Sequence, residues 1–324
     1  MFRVTSLTEM PEKQLNRLIR RIALLFVIVL IAFVAFYVID RWRAPVAPMV
    51  DREIATLEDA VRASPADFAS RGKLADAYFA KGRFDDAVTQ YTALIDSKQN
   101  VELASLRRGD AYRELKKWPE ATTDYNRVIE IGLTGEMANV DPSLEAAYYG
   151  LGMIALTQQK PADAIEPLVK ATAINHTDAD ALSALGLAYV LSGKAQDALT
   201  PLRSAIALVP IGWADPYTNL AAAYTSLGQK DMAAWATAMA QLASGDAAGA
   251  ETALKTLLAG DARMEATVGL GLASELKGDT VAAADWYKQA LAIDPTNTPA
   301  QLGLQRVNGP GSAAPSPAAS TGSN

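Results

Sequence analysis

The chain has one histidine and no cysteine. The side chains that most often serve as base, nucleophile or soft metal ligand near neutral pH are therefore almost missing. His176 stands alone, after the helical pattern of residues 161–174. A metal centre or a catalytic base needs converging partners, so His176 reads as a solvated turn residue. Asn175-His176-Thr177 fits a glycosylation acceptor, a three-residue match of low specificity. Asp85-Asp86 and similar pairs could divide general acid and base roles. They stand instead at helix starts, where carboxylates favour the helix dipole. Gly269-Leu270-Gly271 follows no strand, as a nucleotide-binding fingerprint would. These residues assemble no active site. The expectation is a non-enzymatic protein with no cofactor, no metal and no small-molecule substrate.

A repeat positions these side chains. Residues 185–210 read LGLAYVLSGKAQDALTPLRSAIALVP and contain Leu185-Gly186, Tyr189, Gly193, Ala198, Leu202, Ala205 and Pro210. The spacing resembles the tetratricopeptide pattern L-G-x2-Y…A-x3-F…P, with Leu202 in the aromatic place. Gly186, Ala198 and Ala205 are small where two antiparallel helices must approach, and Pro210 cannot continue the second helix. Thirty-four residues upstream the register recurs as Leu151-Gly152, Ala155, Ala164, Leu168 and Ala171. Leu74-Ala75, Tyr78, Gly82, Ala87 and Tyr91 mark another unit, and so do Gly109, Tyr112, Ala121 and Tyr125. Leu220-Ala221, Tyr224 and Gly228 mark a fifth; Leu270-Gly271, Gly278, Ala283, Tyr287, Ala290 and Pro295 mark the last.

The resemblance covers most of residues 51–307 and implies an all-α fold. That fold is a TPR α-solenoid, a right-handed superhelix of antiparallel helix pairs, here preceded by a single transmembrane helix. Units are expected near 68–101, 102–135, 145–178, 179–212, 214–243 and 264–297. Residues 51–63 mimic the second half of a repeat and should cover the open end of the array. Residues 132–142 are an insertion. The fifth unit begins sixteen residues too early for the sixth, which predicts one extra helix at 246–259. A capping helix at 297–307 and an unstructured tail at 308–324 complete the reading.

Charge divides the chain. Residues 1–43 carry seven Lys/Arg and three Asp/Glu, net +4; since the whole carries −6, the rest carries −10. An acidic body repels phosphates, which argues against nucleic acid as a partner. Residues 1–21 form a basic segment expected on the cytoplasmic side. Residues 22–39 offer eighteen positions without a charged side chain. At ~1.5 Å per residue they reach about 27 Å, near the ~30 Å of a bilayer core. Arg17, Arg20 and Arg21 before this stretch, with Tyr37 and Trp42 at its far end, suit the membrane interface. A cleaved signal peptide is the rival, but the candidate sites after Ala44 and Ala47 are each followed by Pro. Five basic residues precede the stretch and three follow, so the positive-inside rule keeps the N-terminus cytoplasmic and the repeats extracytoplasmic. Residues 40–50 are a Pro-spaced linker.

An anchor followed by repeats resembles bacterial proteins such as the translocon-associated periplasmic accessory and the repeat subunits of cytochrome c maturation. The family likeness implies a concave face lined by positions two, five, nine and twelve of each first helix. The first two units place Ala69, Gly72, Asp76 and Phe79, then Leu103, Leu106, Asp110 and Arg113, at these positions. This is not the basic clamp of the family's chaperone-tail binders. The third and fourth units place Tyr149, Met153 and Leu156, then Ser183, Leu187 and Val190, there. That apolar strip is either a groove for a protein or peptide partner or a surface buried by neighbouring repeats. The expected function is a membrane-anchored scaffold for protein–protein interaction or assembly. The alternative is an accessory subunit whose solenoid is a spacer.

Overall fold

The computed structural model describes residues 49–309 without a break, and positions 16, 20, 24–26, 29, 30 and 33 before them. Two compact units divide the chain, Met1–Thr56 and Leu57–Asn324. In the first, every described position before residue 34 is helical. Its last residues open helix α1 (Met49–Ala63), where Thr56 Oγ1 donates to the Arg52 carbonyl at 2.9 Å. Among the described residues no helix is long and apolar enough to cross a membrane. The expected span 22–39 lies mostly outside them, as do most of the linker 40–50 and the tail from residue 310.

The second unit is built from helix pairs. They are α2 (Phe68–Ala80) with α3 (Phe84–Asp96), α4 (Val101–Glu114) with α5 (Trp118–Gly132), and α6 (Pro142–Thr157) with α7 (Pro161–Ile174). Then come α8 (Ala179–Leu191) with α9 (Ala195–Leu208) and α10 (Asp215–Ser226) with α11 (Lys230–Ala243). A lone helix, α12 (Ala247–Thr256), precedes the pair α13 (Arg263–Leu276) and α14 (Thr280–Ile293), and α15 (Thr298–Asn308) closes the row. Helices adjacent in sequence pack together, and first helices of successive units touch, α4 with α6, α6 with α8 and α8 with α10. The insertion between α5 and α6 holds a short 3-10 turn, Ala138–Val140, that rests on α7.

Side-chain size sets how close each pair comes. A Cβ added to Gly186 would lie 2.4 Å from Leu202 Cγ, so α8 and α9 meet at a separation no larger residue permits. Ala198 and Ala205 on α9 are fully buried at the same interface. Each unit turns between its helices on one residue with left-handed backbone. Four units use glycine for it: Gly82, Gly193, Gly228 and Gly278. The second and third units use Lys116 and Gln159, both at φ 58°. The closing bonds are the same in kind. Gln159 N–H reaches the Leu156 carbonyl and Lys160 N–H the Ala155 carbonyl, each at 2.9 Å, as Gly193 and Lys194 reach Val190 and Tyr189. A side chain in this conformation costs ~1–2 kcal/mol, while glycine adds about 0.5–1 kcal/mol of chain entropy in the unfolded state. Gln159→Gly should therefore raise stability by about 0.5–1 kcal/mol. A lower denaturation midpoint would refute that balance.

Two ionic contacts, each on a buried carboxylate, lock neighbouring helices. The Arg108 guanidinium donates to both Asp124 oxygens, at 2.8 and 2.7 Å, and to Thr92 Oγ1 at 3.0 Å, joining α4, α5 and α3. The Glu275 carboxylate accepts from Arg306 at 2.8 and 2.9 Å and from the Tyr287 hydroxyl at 2.8 Å. This second contact clasps the last helix, α15, to α13 and α14.

Candidate functional site

The first helices carry the candidate face, and each expected residue can be placed on it. Tyr149, Met153 and Leu156 on α6 are half-buried and pack against a core of Ala164, Leu168, Ala184, Leu185 and Ala188. On α8, Ser183 is buried, while Leu187 and Val190 are half-buried. Val190 leans on the next core, with Ala198, Leu202 and Tyr224. The strip is thus neither a free apolar surface nor a closed interior. Tyr149, Met153, Leu156 and Val190 complete the packing between helices and keep part of their surface in solvent. Of the expected membrane-interface residues, Arg20 is exposed, and Arg17, Arg21, Tyr37 and Trp42 lie outside the described residues.

In the first two units of the same row, acidic side chains on the first helices are held by tyrosines. The Tyr91 hydroxyl donates to Asp76 at 2.6 Å and the Tyr125 hydroxyl to Asp110 at 2.8 Å. In both units a second-helix tyrosine thus steadies the position-nine acid of the first helix. Burial pushes the Asp110 carboxyl above its usual range. Arg113, which shares this face, pairs with Glu114 at 3.4 Å. Further along, the Asp178 carboxylate caps α8 by accepting the Asp180 and Ala181 amides at 2.8 and 3.0 Å. Glu145, in the first turn of α6, lies against it; burial and then Asp178 raise the Glu145 carboxyl to about 7. The Tyr149 hydroxyl is pushed up to about 12, chiefly by burial and then by Asp180. His176 is exposed in the turn before α8. Among the described residues no group of three or more His, Cys, Asp or Glu is placed to hold a metal ion.

The Glu145–Asp178 contact was not among the sequence-derived candidates. Its signal is there in the register, because Glu145 opens the third unit and Asp178 is that unit's last residue. Proximity between the two ends of one unit is what the linear pattern does not display.

A tetratricopeptide repeat family model matches residues 51–102, 73–132, 149–216 and 236–298, more than half of the chain. The chain belongs to the tetratricopeptide repeat family. Proteins of this family mediate protein–protein interaction or scaffolding. A search of curated protein sequences returns no match. Among solved structures, the TPR chain is similar to the C-terminal part of a TPR repeat-containing protein from Cytophaga hutchinsonii. That alignment has 18% identity and a TM-score of 0.51, covering 79% of this chain and 94% of the other. It is also similar to the MamA protein, with 24% identity, a TM-score of 0.48, and coverage of 56% and 93%. A third likeness is to YrrB, described as a TPR protein with an unusual peptide-binding site, with 18% identity, a TM-score of 0.48, and coverage of 61% and 97%. At these identities the likeness is one of fold.

Proposed function

We propose that this TPR protein is a membrane-anchored, non-catalytic scaffold that binds or organises protein partners through the first-helix face of its third and fourth units. The observation that carries the binding role is the row Tyr149, Met153, Leu156, Leu187 and Val190 on consecutive first helices, partly buried and with the rest of its apolar surface in solvent. Apolar surface left open to water at a repeat joint favours a partner that covers it. The anchor rests on the composition of residues 22–39. It is supported by Leu24, Leu25, Phe26, Val29, Leu30 and Phe33, which are helical and each more than half exposed. Six large apolar side chains facing outward suit lipid better than water. The basic residues before them favour, by the positive-inside rule, an N-terminus in the cytoplasm and repeats outside it. A second reading, a spacer within a larger membrane complex, is favoured by the inner edge of the same strip, which packs into the array's own core.

Photo-crosslinkers placed singly at Leu187 and at Gln196 in the full-length chain separate these readings. Gln196 is exposed on α9, a second helix. A receptor face gives a discrete crosslinked protein from Leu187 and none from Gln196. Equal yield from both positions, or none from Leu187, would remove the face from the proposal. For the anchor, protease added to spheroplasts should digest the repeats; their protection until lysis would reverse the topology.

A further inference from the structure

The connection between α5 and α6 is longer than the array needs. Four residues join α3 to α4, α7 to α8 and α14 to α15, whereas nine, 133–141, join α5 to α6. The two ends of this loop meet. A Cβ built on Gly132 would lie 3.2 Å from Asp141 Oδ2 and 3.3 Å from Leu144 Cβ. Compact surface loops closed at the base in this way often carry function. The loop is also held from within. Gly135 N–H donates to the Gly132 carbonyl at 3.0 Å, and Val140 N–H to the Met137 carbonyl at 2.9 Å. Ala138 packs into the core that holds Leu144, Ala147 and Ala171, and Asp141 caps α6 through the Ser143 and Leu144 amides.

What this scaffold presents is apolar. Leu133, Met137 and Val140 are 58%, 66% and 53% exposed. Within residues 49–309 seven large apolar side chains are at least half exposed, and three of them stand in this one loop. A single apolar side chain on a surface is ordinary. Three together, on a loop that its backbone already holds, favour a molecule that covers them.

Charge selects the molecule. From Val128 to Gln159 the sequence holds Glu130, Glu136, Asp141 and Glu145 and no Lys or Arg. Glu130 and Glu136 are exposed. On α7, where the loop rests, Lys170 is paired with Glu166 at 2.8 Å. Arg127, on α5, is the last cation before the loop along the chain. Binding to an anionic bilayer draws on Lys and Arg, so this setting disfavours such a surface. A basic protein segment is attracted instead, and its aliphatic stems and apolar residues can cover Leu133, Met137 and Val140.

We propose that the loop 133–141 is a docking surface for a basic, apolar segment of a protein partner, with Met137 and Val140 as apolar contacts and Glu136 as the charge contact. The loop rests on a second helix. It is thus separate from the first-helix face of the third and fourth units and does not depend on that face taking a partner.

The chain has no cysteine, so one introduced thiol can carry a label. Asn139→Cys, exposed between Met137 and Val140, takes an environment-sensitive fluorophore on the full-length chain in phosphatidylcholine nanodiscs. The probes are an amphipathic peptide of Leu and Lys and its Leu and Glu counterpart. The Leu/Lys peptide should shift the emission saturably, less so in high salt, and the Leu/Glu peptide should not. A label at Thr252→Cys, exposed on α12, should stay silent. Met137→Ser with Val140→Ser in the labelled chain should raise the peptide concentration at half-shift severalfold. Glu136→Lys should do the same. Neither change should move the melting temperature, because these side chains are exposed. No response, an equal response to both peptides, or a response that survives the substitutions or is shared with Thr252→Cys would overturn the proposal. A fall in melting temperature would return the three side chains to a structural role and overturn it too. Quenching of the label by spin-labelled lipid before any peptide is added would assign the loop to the bilayer, against the proposal.

Discussion

Asp124→Ala should destabilise the array by about 3–5 kcal/mol, the range for removing one partner of a buried ion pair. The side chains of Asp124 and Arg108 are 3% and 16% exposed, so neither has much water to fall back on. With Asp124 gone, the Arg108 guanidinium keeps the Thr92 hydroxyl and the Tyr112 ring, 5.8 Å from its centre, and its charge stays in place between α3, α4 and α5. The loss comes from that stranded charge more than from the missing bond. Replacing both partners with apolar residues, Arg108→Met with Asp124→Leu, should recover most of it. Denaturant titration of the three chains reads the cycle directly. A single substitution costing under about 1 kcal/mol would mean that water reaches Arg108 freely and that the pair is worth no more than a surface one.

Tyr125→Ala should cost a similar ~3–5 kcal/mol, for a different reason. The ring is fully buried between two helices that lack side chains to spare. A Cβ built on Gly109 would lie 3.0 Å from it and one on Gly150 only 2.5 Å. The glycines that admit the ring leave a cavity without it, and the backbones of α4 and α6 cannot collapse onto each other through α5. Tyr125→Phe keeps the ring and loses only the hydroxyl bond to Asp110, at about 1–2 kcal/mol. Equal losses for the two substitutions would place the energy in the hydrogen bond rather than in the packing.

These two sites differ in how far the sequence reveals them. Tyr125 occupies the aromatic position of its repeat and Gly109 the small one, so periodicity alone places the ring against a glycine. The unit register, the turns at Gly82, Gly193, Gly228 and Gly278, and the helix left over after α11 are legible in the same way. Arg108 and Asp124 occupy positions that carry no repeat signature. Their pairing depends on the distance between α4 and α5, which only packing sets. Lys116 and Gln159 hide a left-handed turn behind residue types that do not announce one, because the neighbouring helix ends impose it. The strip from Tyr149 to Val190 was open to two readings for a related reason. Spacing shows which side chains share a helix face, but not how far the next unit overlaps it. The overlap is partial, with Ser183 buried and Leu187 only partly so.

The row of helices from α2 to α15 is joined almost wholly by contacts between neighbours in sequence. Such a body behaves under load as springs in series. A pull between its ends is felt in full at every joint, and the small extensions add, so the array as a whole is far more compliant than any one helix pair. The load is resisted least where a joint has least to hold it. The ten-residue α12, which buries only Ala250 and Leu254 along its length, is that place. The odd helix is then the point at which an array of this build gives way first under load, with the pairs on either side still folded.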